Sequence, residues 1–290
     1  TPLRHFLPAS SYCFWGIKWP QTWCEPVQST MLPFVFIGER QMQIDLNADL
    51  GEGAPHDREL LAIVSSANIS CGAHAGDADS IANAIALARA HGVRIGAHPS
   101  FPDRENFGRK AMQLPVPSLR NHLLYQLHAL RGMALAQGAQ LSHIKPHGAL
   151  YNQAATDTKL AEELALILQE FDPQLAVVGL AGSQLLRSVR QLGMTAIAEG
   201  FADRRYAADG TLVPRSQAHA VIHNPQQAVA QCLEMICEGK VTSIEGQRID
   251  VQVDTLCLHG DTPEALVFAQ SLSNALNEAG VRIARSNNIS

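Results

Sequence analysis

The chain has 290 residues, with 22 Lys and Arg against 27 Asp and Glu for a formal net charge of −5, and 46% of its residues are hydrophobic against 17% charged. A mild acidic excess gives no electrostatic footprint for nucleic acid or a membrane surface, and the composition lies far from the disordered regime. No apolar run approaches the ~20 residues needed to cross a bilayer, and the 6 cysteines are scattered without CxxC pairs. A soluble protein with free thiols, in the reducing cytoplasm, is the expectation.

Residues 1–41 hold all 3 tryptophans (Trp15, Trp19, Trp23) and show neither helical nor alternating periodicity. They lack the basic start and long apolar stretch of a secretory signal. They read as an extension outside the folded domain, with a docking arm as the alternative, and residues 42–290 as the domain itself. From Met42 onward short β-like runs alternate with amphipathic helices, the pattern of βα units around a parallel sheet. The runs are Gln43 to Asn47, Ser66 to Ser70, Val93 to His98, Leu141 to His147, Leu175 to Leu180, Thr195 to Glu199 and Thr255 to His259. Between them, helices are expected over Asp77 to His91, Ser118 to Gln137, Ser183 to Leu192, Pro225 to Glu238 and Pro263 to Ala279, each followed by a glycine stop. Val241 to Val253 alternates around a Gly turn and reads as a hairpin outside the main sheet. The expected fold class is therefore α/β, a TIM-like (β/α) barrel of seven strands.

Successive strand side chains point to opposite faces. On the first run Ile44, Leu46 and Ala48 share the face that should meet the helices, while Asp45, Asn47 and Asp49 point into the barrel. His143, Lys145 and His147 share one parity on the fourth run, and Cys257, His259 and Asp261 on the last. Both faces of a barrel strand are covered, so acids, histidines and a lysine on three strands point to a site on the axis, at the end where the strand-to-helix loops gather. Those loops add Asn68, Cys71, His74 and Asp77; His98, Asp103 and Arg109; Tyr151 and Asn152; and, after the sixth strand, Glu199, Asp203, Arg204 and Tyr206.

Seven motifs carry a resemblance: IDLNADLGEG (44–53), SANISCGAHAGD (66–77), IGAHPSFPDRENFGR (95–109), HIKPHGALYN (143–152), GLAGS (179–183), FADRRYAADGTLVPRS (201–216) and CLHGD (257–261). In these, and in their order, the sequence resembles the LamB/YcsF family, whose members serve as the A component of 5-oxoprolinase. The resemblance implies a barrel related to those of glycoside hydrolases and deacetylases. It also implies ATP-dependent opening of 5-oxo-L-proline to L-glutamate, a hydrolase reaction on a cyclic amide that yields ADP and phosphate, in a complex with 5-oxoprolinase subunits B and C.

A lactam resists water unless a nucleophile is activated and the oxygen's charge is stabilised. Phosphorylating the lactam oxygen with ATP, and magnesium with it, would make that oxygen a leaving group. Asp45 and Asp49 are the base candidates, Lys145 and Arg109 the cations, and His74, His98, His147 and His259 the proton shuttles. Asn47, Asn68, Arg109, Tyr151, Asn152, Asp203 and Arg204 are the candidates for holding substrate. No GxxxxGK[ST] loop occurs; Gly179, Gly182 and Ser183 precede a helix N-terminus that could take phosphate or simply form a tight turn. Two other readings compete. One is a metal-dependent deacetylase or amidohydrolase, with Asp45, His98 and His147 as ligands; absent any HxxEH, HExxH or HxH spacing, no firmly bound metal is expected. The other is a non-catalytic subunit that binds a carbohydrate or metabolite. On parity, Asp45→Ala and Lys145→Ala should abolish turnover with little loss of stability.

Overall fold

The computed structural model describes residues 42–258 and 265–284; His259 and residues 1–41 lie outside them. In chain order the strands are β1 (Gln43–Leu50), β2 (Ser66–Ser70), β3 (Arg94–His98), β4 (Leu141–Ile144), β5 (Ala176–Leu180), β6 (Ala196–Phe201), β7 (Lys240–Thr242), β8 (Arg248–Asp250), β9 (Thr255–Leu258) and β10 (Arg282–Ile283). The helices are α1 (Asp57–Leu61), α2 (Ala78–Ala90), α3 (Val116–Ala136), α4 (Gly148–Thr156), α5 (Thr158–Phe171), α6 (Gln184–Gln191), α7 (Pro225–Glu238) and α8 (Ala265–Glu278). Strands β1 to β6 and β9 run parallel, and β9 pairs with both β6 and β1, so the seven close into a barrel. The chain is thus the seven-stranded α/β barrel that its alternating pattern predicts. β10 adds to β1 below β9, with Gln43 opposite Arg282 and Ile44 opposite Ile283. β7 and β8 form the expected antiparallel hairpin outside the barrel.

The helices start and stop where local chemistry dictates. The Asp77 side chain accepts from the Ser80 N–H at 2.8 Å while Ser80 Oγ accepts from the Asp77 N–H at 2.8 Å, a reciprocal cap that opens α2. Ser183 and Asn224 cap α6 and α7 in the same sense, and Gly239 ends α7 in the left-handed conformation. Leu46, Ala48 and Leu50 of β1 are fully buried in the core between sheet and helices. The alternate residues Asp45, Asn47 and Asp49 enter the barrel interior, as parity requires.

Two boundaries differ from the sequence reading for definite reasons. The fourth strand ends at Ile144, because Pro146 has no N–H to continue the ladder. Lys145 N and His147 N still bond Ala97 O at 2.9 Å and Pro99 O at 2.8 Å, which keeps their side chains aimed along the barrel. The first strand runs on to Leu50, since Asp49 and Leu50 pair with Asn68 and Ile69. Helices α1, α4 and α5 lie outside what the pattern predicts.

Candidate active site

The barrel interior is polar along β1 to β4, while Ala176 and Val178 of β5 and Ile197 of β6 form a small apolar cluster apart from the main core. At its lower end Asp45 Oδ1 accepts from Arg94 Nη2 at 2.9 Å, Ser65 Oγ at 2.6 Å and Ser66 Oγ at 2.7 Å, and its Oδ2 from Thr255 Oγ1 at 2.6 Å. One layer up, Asn47 Nδ2 donates to Glu199 Oε1 at 3.0 Å and Thr255 Oγ1 at 2.8 Å, and Asn68 Nδ2 donates to Asn47 Oδ1 at 2.7 Å and Asp49 Oδ1 at 2.9 Å. His143 completes this layer, its Nε2 donating to Asn68 Oδ1 at 2.8 Å. Its ring occupies the space that a side chain on Gly96 would fill, 2.1 Å from the position of such a Cβ. Burial, with the charges of Arg94 and Lys145, pushes the His143 pKa down to about 3, so it works as a neutral spacer.

Above these layers the Lys145 ammonium lies 2.8 Å from Glu199 Oε1, 3.0 Å from Asp49 Oδ1 and 3.2 Å from Cys257 Sγ. Burial opposes its charge, but the two carboxylates outweigh that and hold its pKa well above the usual lysine value. Glu199 Oε2 and the Tyr151 hydroxyl are buried and, among the described residues, fall short of hydrogen-bond geometry with any partner. Burial, then the Glu199 charge, raises the Tyr151 pKa well above its ordinary value, so the phenol keeps its proton.

A cavity of about 490 Å³ opens over this floor, lined by Asp49, Glu52, His98, Lys145, His147 and Tyr151 on the barrel side and by Arg109, Asn152, Phe201, Arg204 and Arg215 around it. Along one wall His74, His98, His147 and Glu52 bring one donor atom each within 4.8 Å of the others. His98 Nδ1 is 2.7 Å from Lys145 O and His147 Nε2 is 2.9 Å from Phe107 O; a carbonyl only accepts, so both ring nitrogens are N–H donors. His74 stacks on His147 with centroids 3.8 Å apart, and its Nε2 lies 3.0 Å from Glu52 Oε1. Burial, reinforced by His98, pushes the pKa of His74 down to about 3 and that of His147 well below the usual range. The wall is held by a close backbone approach: Gly148 has φ 57°, Ala149 N donates to Gly108 O at 2.8 Å, and a Cβ on Gly148 would lie 2.4 Å from that oxygen.

Of the residues singled out from sequence, Asp49, His98, Lys145 and His147 line the cavity, as do Arg109, Tyr151, Asn152 and Arg204. His74 stands behind His147 and Glu52. Asn47 and Asn68 lie beneath the cavity as scaffolding, and Asp203 is not among its lining residues. Asp45 is four residues below Asp49 on β1, roughly 13 Å along the strand, with both carboxylate oxygens held by Arg94, Ser65, Ser66 and Thr255. The metal set of Asp45, His98 and His147 is therefore corrected: Glu52, which sequence reasoning passed over, takes the place of Asp45 beside His98 and His147. At this end of β5 the strand's last residue, Leu180, lines the cavity, whereas Gly179, Gly182 and Ser183 are not among its lining residues. Gly182 makes a left-handed turn there, and the Ser183 hydroxyl accepts from Leu186 N at 3.3 Å, capping α6.

Fold and site define a class: a parallel β/α barrel whose polar axis ends in a histidine- and carboxylate-walled cavity at the C-terminal mouth of the strands. A model of the LamB/YcsF family matches residues 44–290, and the chain belongs to that family. It is similar over 84% of its length to the whole of a lactam utilization protein from Thermus thermophilus, at 42% identity and a TM-score of 0.79. A candidate cellobiose-phosphate cleavage protein from Enterococcus faecalis shares the fold alone, at 14% identity and a TM-score of 0.50 over 85% of this chain and 98% of that one. Among the described residues no helix is long and apolar enough to cross a membrane.

Proposed function

We propose that this protein opens the lactam of 5-oxoproline to glutamate as the A component of an ATP-coupled hydrolase that works with two partner subunits, B and C, in the cytoplasm. The observation that carries the reading is the Lys145 ammonium, buried between Asp49 and Glu199 at the floor of a cavity rimmed by Arg109, Arg204 and Arg215. A fixed cation in a site of low dielectric stabilises charge that develops on the lactam or phosphoryl oxygen. The arginines suit the substrate carboxylate. Asp49, which lines the cavity beside the Lys145 ammonium, can take a proton from attacking water.

With no GxxxxGK[ST] loop in the sequence, and with Ser183 engaged as a helix cap, the ATP step is assigned mainly to the partners. The barrel then opens the activated ring away from bulk water. The test is 5-oxoproline-dependent formation of glutamate and ADP. The isolated chain should form neither, and adding B and C should yield both in equal amounts. Coupled turnover by the isolated chain would overturn this division of labour. The histidine and glutamate wall favours a second reading, a metal-dependent amide hydrolase, which would release product without consuming ATP.

A further inference from the structure

We propose that His98, His147 and Glu52 bind a divalent transition-metal ion, Zn²⁺ being the ion their chemistry fits best, with His74 held beside Glu52. The assignment rests on electron pairs. His98 Nδ1 and His147 Nε2 both give their protons to carbonyls, Lys145 O and Phe107 O. A histidine that gives one ring proton to a carbonyl ligates a metal through its other nitrogen, and here those two nitrogens, His98 Nε2 and His147 Nδ1, face each other at 2.9 Å. Glu52 Oε1 joins them, 3.6 Å from the His147 nitrogen and 3.9 Å from that of His98.

Three electron-pair donors aimed at one small volume repel one another unless a proton or a metal ion lies among them. At Zn–N and Zn–O bond lengths near 2.1 Å, the donors of a tetrahedral site are about 3.4 Å apart, and the three separations bracket that value. Carbonyl partners on the far nitrogens are also what fixes the tautomer and ring direction of a metal-bound histidine.

The cavity marks which donors are ligands. Glu52, His98 and His147 line it and His74 does not; Asp49, which also lines it with Oδ2 3.3 Å from His98 Nε2, stands outside the converging group, so three protein ligands would leave one coordination position facing the space where substrate enters. That is the arrangement of a catalytic rather than a structural zinc site. His74 lies parallel to His147 instead of converging with it. Its Nε2 is 3.0 Å from Glu52 Oε1 and its Nδ1 is 3.0 Å from Ser100 Oγ. Ser100 Oγ gives its one proton to Phe101 O at 2.8 Å, so it accepts from His74 Nδ1–H and holds the ring with Nε2 against Glu52 Oε1. Two imidazoles and one carboxylate are a poor set for Mg²⁺, which takes oxygen ligands. The inference goes beyond lactam opening and does not depend on it, since its readout contains no substrate.

The test is titration of Zn²⁺, and separately of Co²⁺, into the chelator-stripped full chain, followed by calorimetry, metal analysis and visible absorption. One equivalent of Zn²⁺ should bind and resist millimolar Mg²⁺, and Co²⁺ should give the intense bands of a four- or five-coordinate site. Glu52→Gln and His147→Gln should each weaken binding by more than about 100-fold, and His74→Asn by about 10- to 100-fold. The exposed His122→Ala should change nothing. Circular dichroism establishes that each variant is folded; if His147→Gln is not, His98→Gln takes its place beside the near-isosteric Glu52→Gln. Binding below a tenth of an equivalent, or equal affinity in wild type and Glu52→Gln, would overturn the assignment.

Discussion

Lys145 and Asp45 illustrate how far a single side chain's role depends on its depth in the barrel. Lys145 faces the cavity, yet it also neutralises Asp49 and Glu199, at 3.0 and 2.8 Å. Lys145→Ala should therefore abolish turnover of the assembled enzyme and, by leaving two buried carboxylates uncompensated, also cost about 3–5 kcal/mol in chemical denaturation. Asp45→Ala strands the buried Arg94 guanidinium in the same way, so the expectation that it leaves stability intact is withdrawn, and a loss of similar size is predicted. A pH effect follows from His143, which is buried neutral with its pKa near 3 against about 6.5 in the unfolded chain. Its contribution is complete above pH 6.5 and is lost as pH falls toward 3, at up to about 1.4 kcal/mol per pH unit. Denaturant midpoints between pH 7 and 4 check this, and His143→Gln, which can still donate to Asn68, should flatten the slope by about one proton. Alternation in the sequence places Asp45, Asn47 and Asp49 on one face but says nothing about which of them reaches the mouth. Glu52 escapes the same reasoning because it sits between Gly51 and Gly53, both at positive φ, where strand parity no longer predicts direction.

The elements were legible in proportion to how local their causes are. Helix α2 is written in adjacent residues, with Asp77 and Ser80 at its start and Gly92 after its end, and the expected span matches it with its caps. Helix α4 begins at Gly148, where the need for positive φ arises from contact with Gly108 some 40 residues earlier, and no local signal announces it. The junction of β3 and β4 is a second non-local feature. Their pairing shifts between Ile95 and Gly96, so that Gly96 faces His143 instead of Ser142. This register, together with the missing Cβ, makes room for the imidazole that supports Asn68 and, through it, Asp49. Gly96→Ala would drive a methyl into that ring. A destabilisation of about 1–3 kcal/mol is predicted from overpacking, with activity falling further than stability because the Asn68–Asp49 contact is disturbed. A variant with wild-type melting temperature and turnover would show that β3 and β4 can spread without cost.

At the scale of the whole molecule, the two ends of the described chain meet beside the strand pair that closes the barrel. One edge of β1 is shared: residues Asp45 to Ala48 pair with β9, and Gln43 and Ile44 pair with β10. Arg282 N donates to Met42 O and Ala284 N to Ile44 O, both at 2.9 Å, and Val281 is buried against the core. The seam thus joins strands more than 200 residues apart in sequence, a non-local pairing of the kind that forms late in folding. Removing residues 281–290 leaves the lower end of β1 unpaired and takes Val281 out of the core, so the melting temperature should drop by several degrees, as a loss of about 2 kcal/mol implies for a chain of this size. Asp45, in the same stretch of β1, holds Thr255 of β9, so the loss should add less than fully to that of Asp45→Ala when the two are combined. Deleting residues 1–41 removes nothing within the family match that begins at residue 44, so melting temperature and coupled activity should be unchanged. Equal damage from the two truncations, read by thermal unfolding and by glutamate formation in the presence of the B and C subunits, would mean that β10 supports the barrel no more than residues 1–41 do.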